Sequence, residues 1–284
     1  MEIKNYLSLI KFSHTIFAIP FAIIGFLLAV NINEDSFDIK LFFLVILCMI
    51  FARSAAMAFN RYIDRDIDKI NSRTNSREIP SGAIKAPSVL VFVILNCILF
   101  FATTWFINEI CFFLSPVALM VVLGYSLTKR FTFLCHLILG IGLSLAPIGA
   151  YLAVSGSFDL LPLLFSFSVL FWVAGFDIIY ALQDEEFDKK NDLKSIPVSI
   201  GKKNALLLSS LFHTISFGFI ISAGYLGDFG TWYWIGSGLF AGLLIYQHTL
   251  VKPNDLSKVN LAFFTTNGIA AVIFSVFVFL ELYF

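Results

Sequence analysis

Two acidic motifs stand out by the type and spacing of their side chains. The first motif consists of Asn60, Asp64 and Asp68, and the second motif consists of Asp184 and Asp188, with neighbouring members four residues apart. On a helix this spacing keeps the side chains on one face, shifted by about 40° per step. Oxygen ligands in two clusters suit a hard divalent cation such as Mg²⁺, which shares its coordination with substrate phosphates. The motifs therefore predict a site for a metal-bound diphosphate.

Basic side chains surround both motifs. Arginine binds phosphate oxygens in a bidentate manner, and lysine acts as a point charge. Carboxylates at the C-terminal end of a helix face the negative end of its dipole, which is unfavourable unless a cation is present. Magnesium would remove that penalty. The candidate diphosphate contacts are Arg61, Arg65, Arg73, Arg77, Lys129 and Arg130.

One further charged residue precedes each motif inside an apolar segment. Arg53 lies seven residues before Asn60, and Asp177 lies seven residues before Asp184, which is about two helical turns. A charge inside a membrane segment is costly and is therefore a candidate functional residue. We expect Arg53 and Asp177 inside the helix bundle, either as substrate contacts or as an ion pair between helices.

The composition indicates which elements must position these residues. The 284 residues are 59% hydrophobic and 13% charged, and the mean hydropathy of +0.89 excludes an ordinary soluble protein. Stretches of about 20 apolar residues are needed to cross a bilayer. We predict an all-α bundle of nine transmembrane helices at 14–30, 41–60, 89–107, 111–127, 134–154, 160–182, 204–223, 231–250 and 261–283.

The basic residues also predict the orientation of the bundle. Of the 19 Lys and Arg residues, all but Lys40 fall on one side of the predicted spans. The positive-inside rule places that side, together with the N-terminus, in the cytoplasm. Both motifs then end helices that run toward the cytoplasmic surface of the inner membrane, where they form one shared site. Inverted-repeat transporters would place corresponding motifs on opposite faces.

Other residue types give no competing site. The four cysteines lie in or beside apolar segments without Cys-x-x-Cys spacing, so they indicate neither zinc nor disulfides. The formal net charge of zero gives no indication of a nucleic-acid partner, and no obligate protein partner is inferred. Four histidines share no metal-ligand spacing, and we expect packing or interfacial hydrogen bonding for all except the first: His14, His136, His213 and His248.

These residues together resemble the UbiA superfamily of intramembrane prenyltransferases, which carries an Asn-x-x-x-Asp-x-x-x-Asp motif and a second Asp-x-x-x-Asp motif. Segments 73–82 and 125–130 also match, and the resemblance covers nearly all of 1–284 as one domain. Segments 11–17 and 175–184 resemble the 4-hydroxybenzoate polyprenyltransferase-like branch. Closely similar sequences serve menaquinone routes, so a dihydroxynaphthoate is an alternative acceptor.

The resemblance implies a function and assigns roles to residues. The expected reaction is Mg²⁺-dependent transfer of a polyprenyl group from polyprenyl diphosphate to a ring carbon of an aromatic acid in quinone biosynthesis. Arg61 departs from the Asp that much of the family has there, so that position would not bind metal. By resemblance, Asn60, Asp64, Asp68, Asp184 and Asp188 would bind the magnesium diphosphate, and Arg65, Arg73, Arg77, Lys129 and Arg130 would contact its phosphates.

The acceptor end of the site is less constrained by the sequence. Arg53 is the expected partner of the acceptor carboxylate, and Asp177 or Tyr180 would orient the hydroxyl or accept the proton. A membrane transporter is the competing class, because the chain combines many spans with intramembrane charges. A third interpretation keeps the prenyl transfer but changes the acceptor to haem or a glycerophosphate lipid.

Overall fold

The computed structural model describes residues 3–11, 17–34 and 36–284, and within these ranges the regular structure is helical, with no β-strand. The all-α prediction is confirmed. A short 3₁₀ segment spans Leu182–Asp184, and a π-helical segment spans Leu261–Thr266. The α-helices are α1 Ile3–Leu9, α2 Ile19–Ile32, α3 Ile39–Ile63, α4 Arg65–Ile70, α5 Ala86–Trp105, α6 Glu109–Thr128, α7 Cys135–Ser155, α8 Leu160–Ala181, α9 Glu185–Lys190, α10 Ile196–Leu226, α11 Thr231–Leu250 and α12 Asn267–Tyr283.

Seven helical stretches within the described ranges are long and apolar enough to cross a membrane. They contain α3, α5, α6, α7, α8, α10 and α12. The shorter apolar α2 and the 20-residue α11 account for the other two predicted spans. Part of the predicted span 14–30, including His14, lies outside the described residues. The count of nine spans and the cytoplasmic N-terminus stay predictions.

Side-chain caps set the starts of several membrane helices. At the start of α3, Asp38 accepts hydrogen bonds from the backbone N–H groups of Lys40 and Leu41 at 2.8 and 3.2 Å. Asn108 and Asp159 cap α6 and α8 in the same way. Such caps satisfy N–H groups that have no partner within the helix. They fix where each helix begins and therefore how far its other end reaches.

Glycines bring the helices behind the site close together. A Cβ on Gly25 of α2 would lie 2.0 Å from the Pro147 carbonyl oxygen of α7, and one on Gly140 of α7 would lie 2.4 Å from the Leu170 oxygen of α8. Small residues allow this approach, which lets membrane helices pack by van der Waals contact. The buried Trp172 ring fills the interior between these helices. Helix α8, which carries the second motif, is therefore held firmly.

Both motif-bearing helices break at the motifs. Helix α3 ends at Ile63 and α4 starts at Arg65, while α8 ends at Ala181 and is followed by the 3₁₀ segment and α9. The spacing that keeps the motif side chains on one face of a helix therefore does not continue through an unbroken helix in either motif. At the first break, Arg130 Nη2 donates to the Ile63 carbonyl at 2.8 Å, so a side chain satisfies a carbonyl at the helix end.

Candidate active site

A cavity of about 590 Å³, here called the polar cavity, lies between the two motifs. Its walls come from α3, α6, α7 and α8 and from the loop that follows the first motif. The two motifs, separated by more than 100 residues of sequence, therefore face one space. Twelve of the predicted site residues line it: Arg53, Asn60, Asp64, Asp68, Arg73, Arg77, Lys129, Arg130, Asp177, Tyr180, Asp184 and Asp188.

The carboxylates of the first motif are paired with basic side chains. Asn60 Nδ2 donates to Asp64 Oδ2 at 3.1 Å, and Arg130 Nη2 donates to Asp64 Oδ1 at 3.1 Å. Arg77 Nη1 lies 2.6 and 2.7 Å from the two oxygens of Asp68. Burial raises the pKa of Asp64, and the hydrogen bond from Arg130 opposes this shift. The negative charge on Asp64 is therefore stabilised by its basic neighbour Arg130.

The second motif is paired in the same way but is more deeply buried. Arg73 donates to both oxygens of Asp184 and also to the Tyr180 hydroxyl at 3.0 Å. Burial lowers the pKa of Arg73, but its bonds to Asp184 outweigh that effect and leave the pKa above its usual value. Lys129 Nζ lies 2.7 Å from Asp188 Oδ2. The side chains of Asp184 and Asp188 are only 11% and 1% exposed.

Of the two arginines next to the first motif, Arg61 lines the polar cavity and Arg65 does not. Arg65 does not line the polar cavity; its guanidinium lies 4.7 Å from the centre of the Tyr62 ring and donates to the Tyr62 carbonyl at 2.7 Å. The Arg65 side chain is therefore held on Tyr62 in this structure, and its contact with the diphosphate stays a prediction. Arg61, in contrast, is buried, lines the cavity, and has an Nε atom without a hydrogen-bond partner in the part of the chain that the structure describes.

The oxygen-rich motifs suit a hard divalent cation. Both carboxylate oxygens of Asp188 are buried, and among the described residues their close cationic contact is Lys129 Nζ, 2.7 Å from Oδ2. No three His, Cys, Asp or Glu side chains of the described residues form a complete metal site by themselves. Magnesium commonly uses one or two carboxylates and takes its other ligands from water and substrate phosphates. The donor set therefore fits a metal that arrives with a diphosphate.

A second cavity of about 370 Å³, here called the apolar cavity, adjoins the polar one. Its walls come mainly from α3, α5, α6 and α7. Five residues line both cavities: Arg53, Met57, Tyr125, Leu139 and Leu143. At this junction, Arg53 Nε is buried and has no hydrogen-bond partner among the described residues. A molecule with a charged head and an apolar tail could therefore occupy both cavities at once.

Aromatic rings form one wall of the polar cavity. The centroid of the Tyr180 ring lies 4.3 Å from that of Phe263, and Phe176 lies 5.3 Å from the same ring. Phe263 belongs to the π-helical segment, whose end is tied to α8 by a 2.8 Å hydrogen bond from Trp172 Nε1 to Asn267 Oδ1. Irregular π turns occur often at functional sites, and this one supplies a ring to the cavity wall.

His136 is a site residue that the sequence analysis missed. It lines the polar cavity on α7, and its Nδ1 lies 2.7 Å from Asp177 Oδ2 on α8. The expected packing or interfacial hydrogen bonding of His136 takes the form of this contact, and Asp177 pairs with His136 rather than with Arg53. The two residues are 41 positions apart in sequence, and no motif spacing connects them.

Comparison with known proteins identifies the family. The sequence model of the UbiA prenyltransferase family matches residues 18–269. The chain belongs to the UbiA prenyltransferase family. A 4-hydroxybenzoate octaprenyltransferase from Paraburkholderia phymatum is 30% identical over 238 residues, which cover 84% of this chain and 83% of that protein. Family membership and this relative identify the chain as a membrane-embedded polyprenyltransferase, which resolves the transporter alternative in favour of an enzyme.

Solved structures of UbiA homologues agree with the fold. The apo structure of a homologue from Aeropyrum pernix K1 has a TM-score of 0.85 at 31% identity and covers 94% of this chain and 98% of its own. A homologue from Archaeoglobus fulgidus, bound to DMAPP and Mg²⁺, has a TM-score of 0.76 at 21% identity and covers 98% of this chain and 99% of its own. The helical arrangement is thus that of UbiA proteins over almost the whole chain.

Proposed function

We propose that this UbiA prenyltransferase transfers a polyprenyl group from a polyprenyl diphosphate to a ring carbon of 4-hydroxybenzoate. The observation that carries the acceptor class is the Arg53 guanidinium at the junction of the two cavities, whose buried Nε has no hydrogen-bond partner among the described residues. A buried charge without a partner is costly, and an anionic ligand offsets that cost. The carboxylate of an aromatic acid supplies the anion. The name of the Paraburkholderia relative supports the same acceptor.

The donor occupies both cavities in this proposal. Its diphosphate lies between the two motifs, and its prenyl chain extends past Met57 into the apolar cavity. Each motif carboxylate now pairs with a base from a loop or from the end of α6. When the diphosphate binds, the bases turn to its phosphate oxygens and the carboxylates become free to bind a cation. The bound DMAPP and Mg²⁺ in the Archaeoglobus homologue support this arrangement.

The motif residues make the diphosphate a good leaving group. Asn60, Asp64, Asp68, Asp184 and Asp188 would hold Mg²⁺, which supplies Lewis-acid stabilisation of the departing charge. Arg73, Arg77, Lys129 and Arg130 donate hydrogen bonds to the same oxygens. The aromatic wall stabilises positive charge that develops on the allylic carbon. Attack by the ring carbon and loss of its proton complete the transfer.

A product assay tests the proposed function. Purified protein in lipid nanodiscs is incubated with Mg²⁺, geranyl or longer polyprenyl diphosphate, and one acceptor at a time: 4-hydroxybenzoate, each dihydroxynaphthoate, haem, or a glycerophosphate. The expected result is prenylated 4-hydroxybenzoate, identified by mass, with equimolar diphosphate release. A prenylated naphthoate formed at a much higher kcat/KM would identify a dihydroxynaphthoate as the acceptor, as in the menaquinone alternative. Absence of any prenylated product would contradict the proposal.

We also propose that the polar cavity opens to the cytoplasm at the inner membrane. The support is the bias of 18 among 19 basic residues toward the face that carries both motifs. Single cysteines placed at Lys190 and at Asp228 in a cysteine-free variant test this orientation. An impermeant thiol reagent added to spheroplasts should label only the cysteine at Asp228. Labelling of the cysteine at Lys190 alone would reverse the orientation.

A further inference from the structure

The contact between His136 and Asp177 has a geometry suited to proton transfer. His136 Nε2 lies 3.4 Å from the backbone N of Ile196, which can only donate. Nε2 is therefore an acceptor, so the ring proton is on Nδ1 and is donated to Asp177 Oδ2 at 2.7 Å. A histidine with a fixed tautomer orients a carboxylate, as in other pairs of oriented catalytic groups.

Asp177 has one oxygen left for a substrate. Its side chain is 22% exposed, against 3% for His136, and it lines the polar cavity. Oδ2 accepts from His136, whereas Oδ1 has no hydrogen-bond partner among the described residues. This carboxylate differs from those of both motifs, all of which are paired with Arg or Lys. Its free oxygen can accept a proton without first losing a cationic partner.

The depth of Asp177 matches that of Arg53. Each residue lies seven positions before its motif, about 10 Å along its helix, and both line the polar cavity. In a para-hydroxy acid, the carboxylate and the hydroxyl are at opposite ends of the ring. A carboxylate on Arg53 therefore leaves the hydroxyl to a second polar group at similar depth.

We infer that the His136–Asp177 pair is the general base for the acceptor hydroxyl, an inference that rests on the proposed function. Asp177 Oδ1 takes the O–H proton as the ortho carbon forms its bond to the allylic carbon, whose bond to the diphosphate oxygen breaks with its electron pair. The resulting dienone loses the ring proton from that carbon to solvent, and Asp177 returns its proton to the oxygen. Asp177 is the catalytic residue, and His136 is a positioning residue.

Glu78 is the rival base within the cavity. It also has no Arg or Lys partner: Ser8 Oγ donates to its Oε1, and its Oε2 is buried without a partner. However, Glu78 lies in the loop beyond the first motif, at the diphosphate end of the site. Asp177 instead lies on α8 beside the aromatic wall, where the proposed ring attack occurs. Glu78→Gln is therefore the discriminating variant.

Chemical rescue tests this assignment directly. Asp177→Ala is assayed with 4-hydroxybenzoate, Mg²⁺ and geranyl diphosphate, with and without formate. We expect kcat to fall about a hundredfold or more, the usual contribution of a general base, with KM for the diphosphate unchanged. Formate should restore a substantial part of the rate in Asp177→Ala and in no other variant. Asp228→Asn is the matched control, because Asp228 is exposed with φ 49°, a conformation that Asn accepts.

Histidine variants test the positioning role. His136→Asn keeps a side-chain N–H near the place of Nδ1 and should retain most of the activity, whereas His136→Phe should lose about as much kcat as Asp177→Ala. Near-normal activity of Asp177→Ala, or a fall in kcat of Glu78→Gln as large as that expected for Asp177→Ala, would overturn the inference while leaving prenyl transfer by the wild type intact. Loss of activity in Asp177→Ala without formate rescue and with a raised diphosphate KM would assign the pair a structural role only. An inactive wild type would contradict the proposed function itself.

Discussion

The polar and apolar cavities differ in how their charges are compensated. In the polar cavity, the four motif carboxylates each contact an Arg or Lys at 3.1 Å or less. Where the apolar cavity begins, Arg53 contributes a guanidinium with an unpartnered Nε. A site whose charged side chains are already paired binds a charged ligand when those side chains exchange their partners for it. A charged side chain without a partner instead attracts an ion of opposite charge directly. The difference indicates that the two ends of the chemistry are recognised by different means.

This difference also predicts that the polar cavity binds the diphosphate of the donor and that the junction with the apolar cavity binds the acceptor. The polar cavity can accept a highly charged diphosphate together with a cation, since its own bases and acids nearly balance. The junction around Arg53 suits a ligand with a single negative charge, because Arg53 is the one Arg or Lys of the described residues that lines both cavities. We therefore expect metal and motif variants to affect donor turnover, and junction variants to affect the acceptor.

Removal of divalent cations should have the largest effect. A chelator takes away the cation that lets the motif carboxylates face a diphosphate, so turnover should fall to background and return when Mg²⁺ is added. Release of diphosphate is the measurement. Undiminished release in excess chelator would show that the charge exchange in the polar cavity works without a metal.

Asp64→Asn and Asp184→Asn should have the next largest effect. Each substitution removes one anionic oxygen and leaves Arg130 or Arg73 without its ion-pair partner. We expect kcat to fall by about a thousandfold, comparable with loss of a strong electrostatic contact in other active sites. Normal rates in either variant, measured at saturating Mg²⁺, would show that the motif carboxylates are not needed for catalysis.

Arg53→Ala should affect the acceptor more than the donor. Loss of the buried cation should lower kcat/KM for 4-hydroxybenzoate by about a hundredfold, as for truncation of a buried charge contact. KM for the prenyl diphosphate should change little. Arg53→Lys keeps the charge and should recover part of the loss. An unchanged kcat/KM for 4-hydroxybenzoate in Arg53→Ala would show that Arg53 does not bind the acceptor carboxylate.

Gly149→Phe should have the smallest effect and one that depends on donor length. Gly149 lines the apolar cavity, and a Cβ there meets no atom within 4 Å. A phenyl ring would occupy space that a long prenyl chain needs, so kcat/KM for an octaprenyl donor should fall about tenfold. The value for geranyl diphosphate should remain near wild type. Equal losses of kcat/KM for both donors would show that the prenyl chain does not occupy the apolar cavity.

The sequence predicted those features that follow from local spacing. Hydrophobic length revealed the helices, and carboxylates four residues apart revealed both motifs, because helical periodicity acts along the chain. At the helix break after Ile63 the carbonyl is paired with Arg130, a partner distant in sequence, so this contact was not predictable. The position of Arg65 on the neighbouring Tyr62 ring was not predictable either, because a basic residue next to a motif can turn toward the motif or toward a ring.

The pairing of His136 with Asp177 shows the same limit more clearly. Neither residue belongs to a motif with its partner, and only the packing of α7 against α8 through Gly140 and the Leu170 carbonyl brings them together. Periodicity placed Asp177 about two turns before its motif but gave no information about the neighbouring helix. Chemistry that depends on contacts between helices therefore has to be read from the fold.

The structure of the protein with Mg²⁺ and a non-reactive geranyl thiodiphosphate is the most direct test of one donor spanning both cavities. We expect the metal and the diphosphate to lie between Asp64 and Asp184, with Arg73 and Arg130 turned from these carboxylates to phosphate oxygens. We expect the prenyl chain to lie beyond Met57 in the apolar cavity. A diphosphate bound elsewhere, or one bound while all four motif ion pairs persist, would contradict the account.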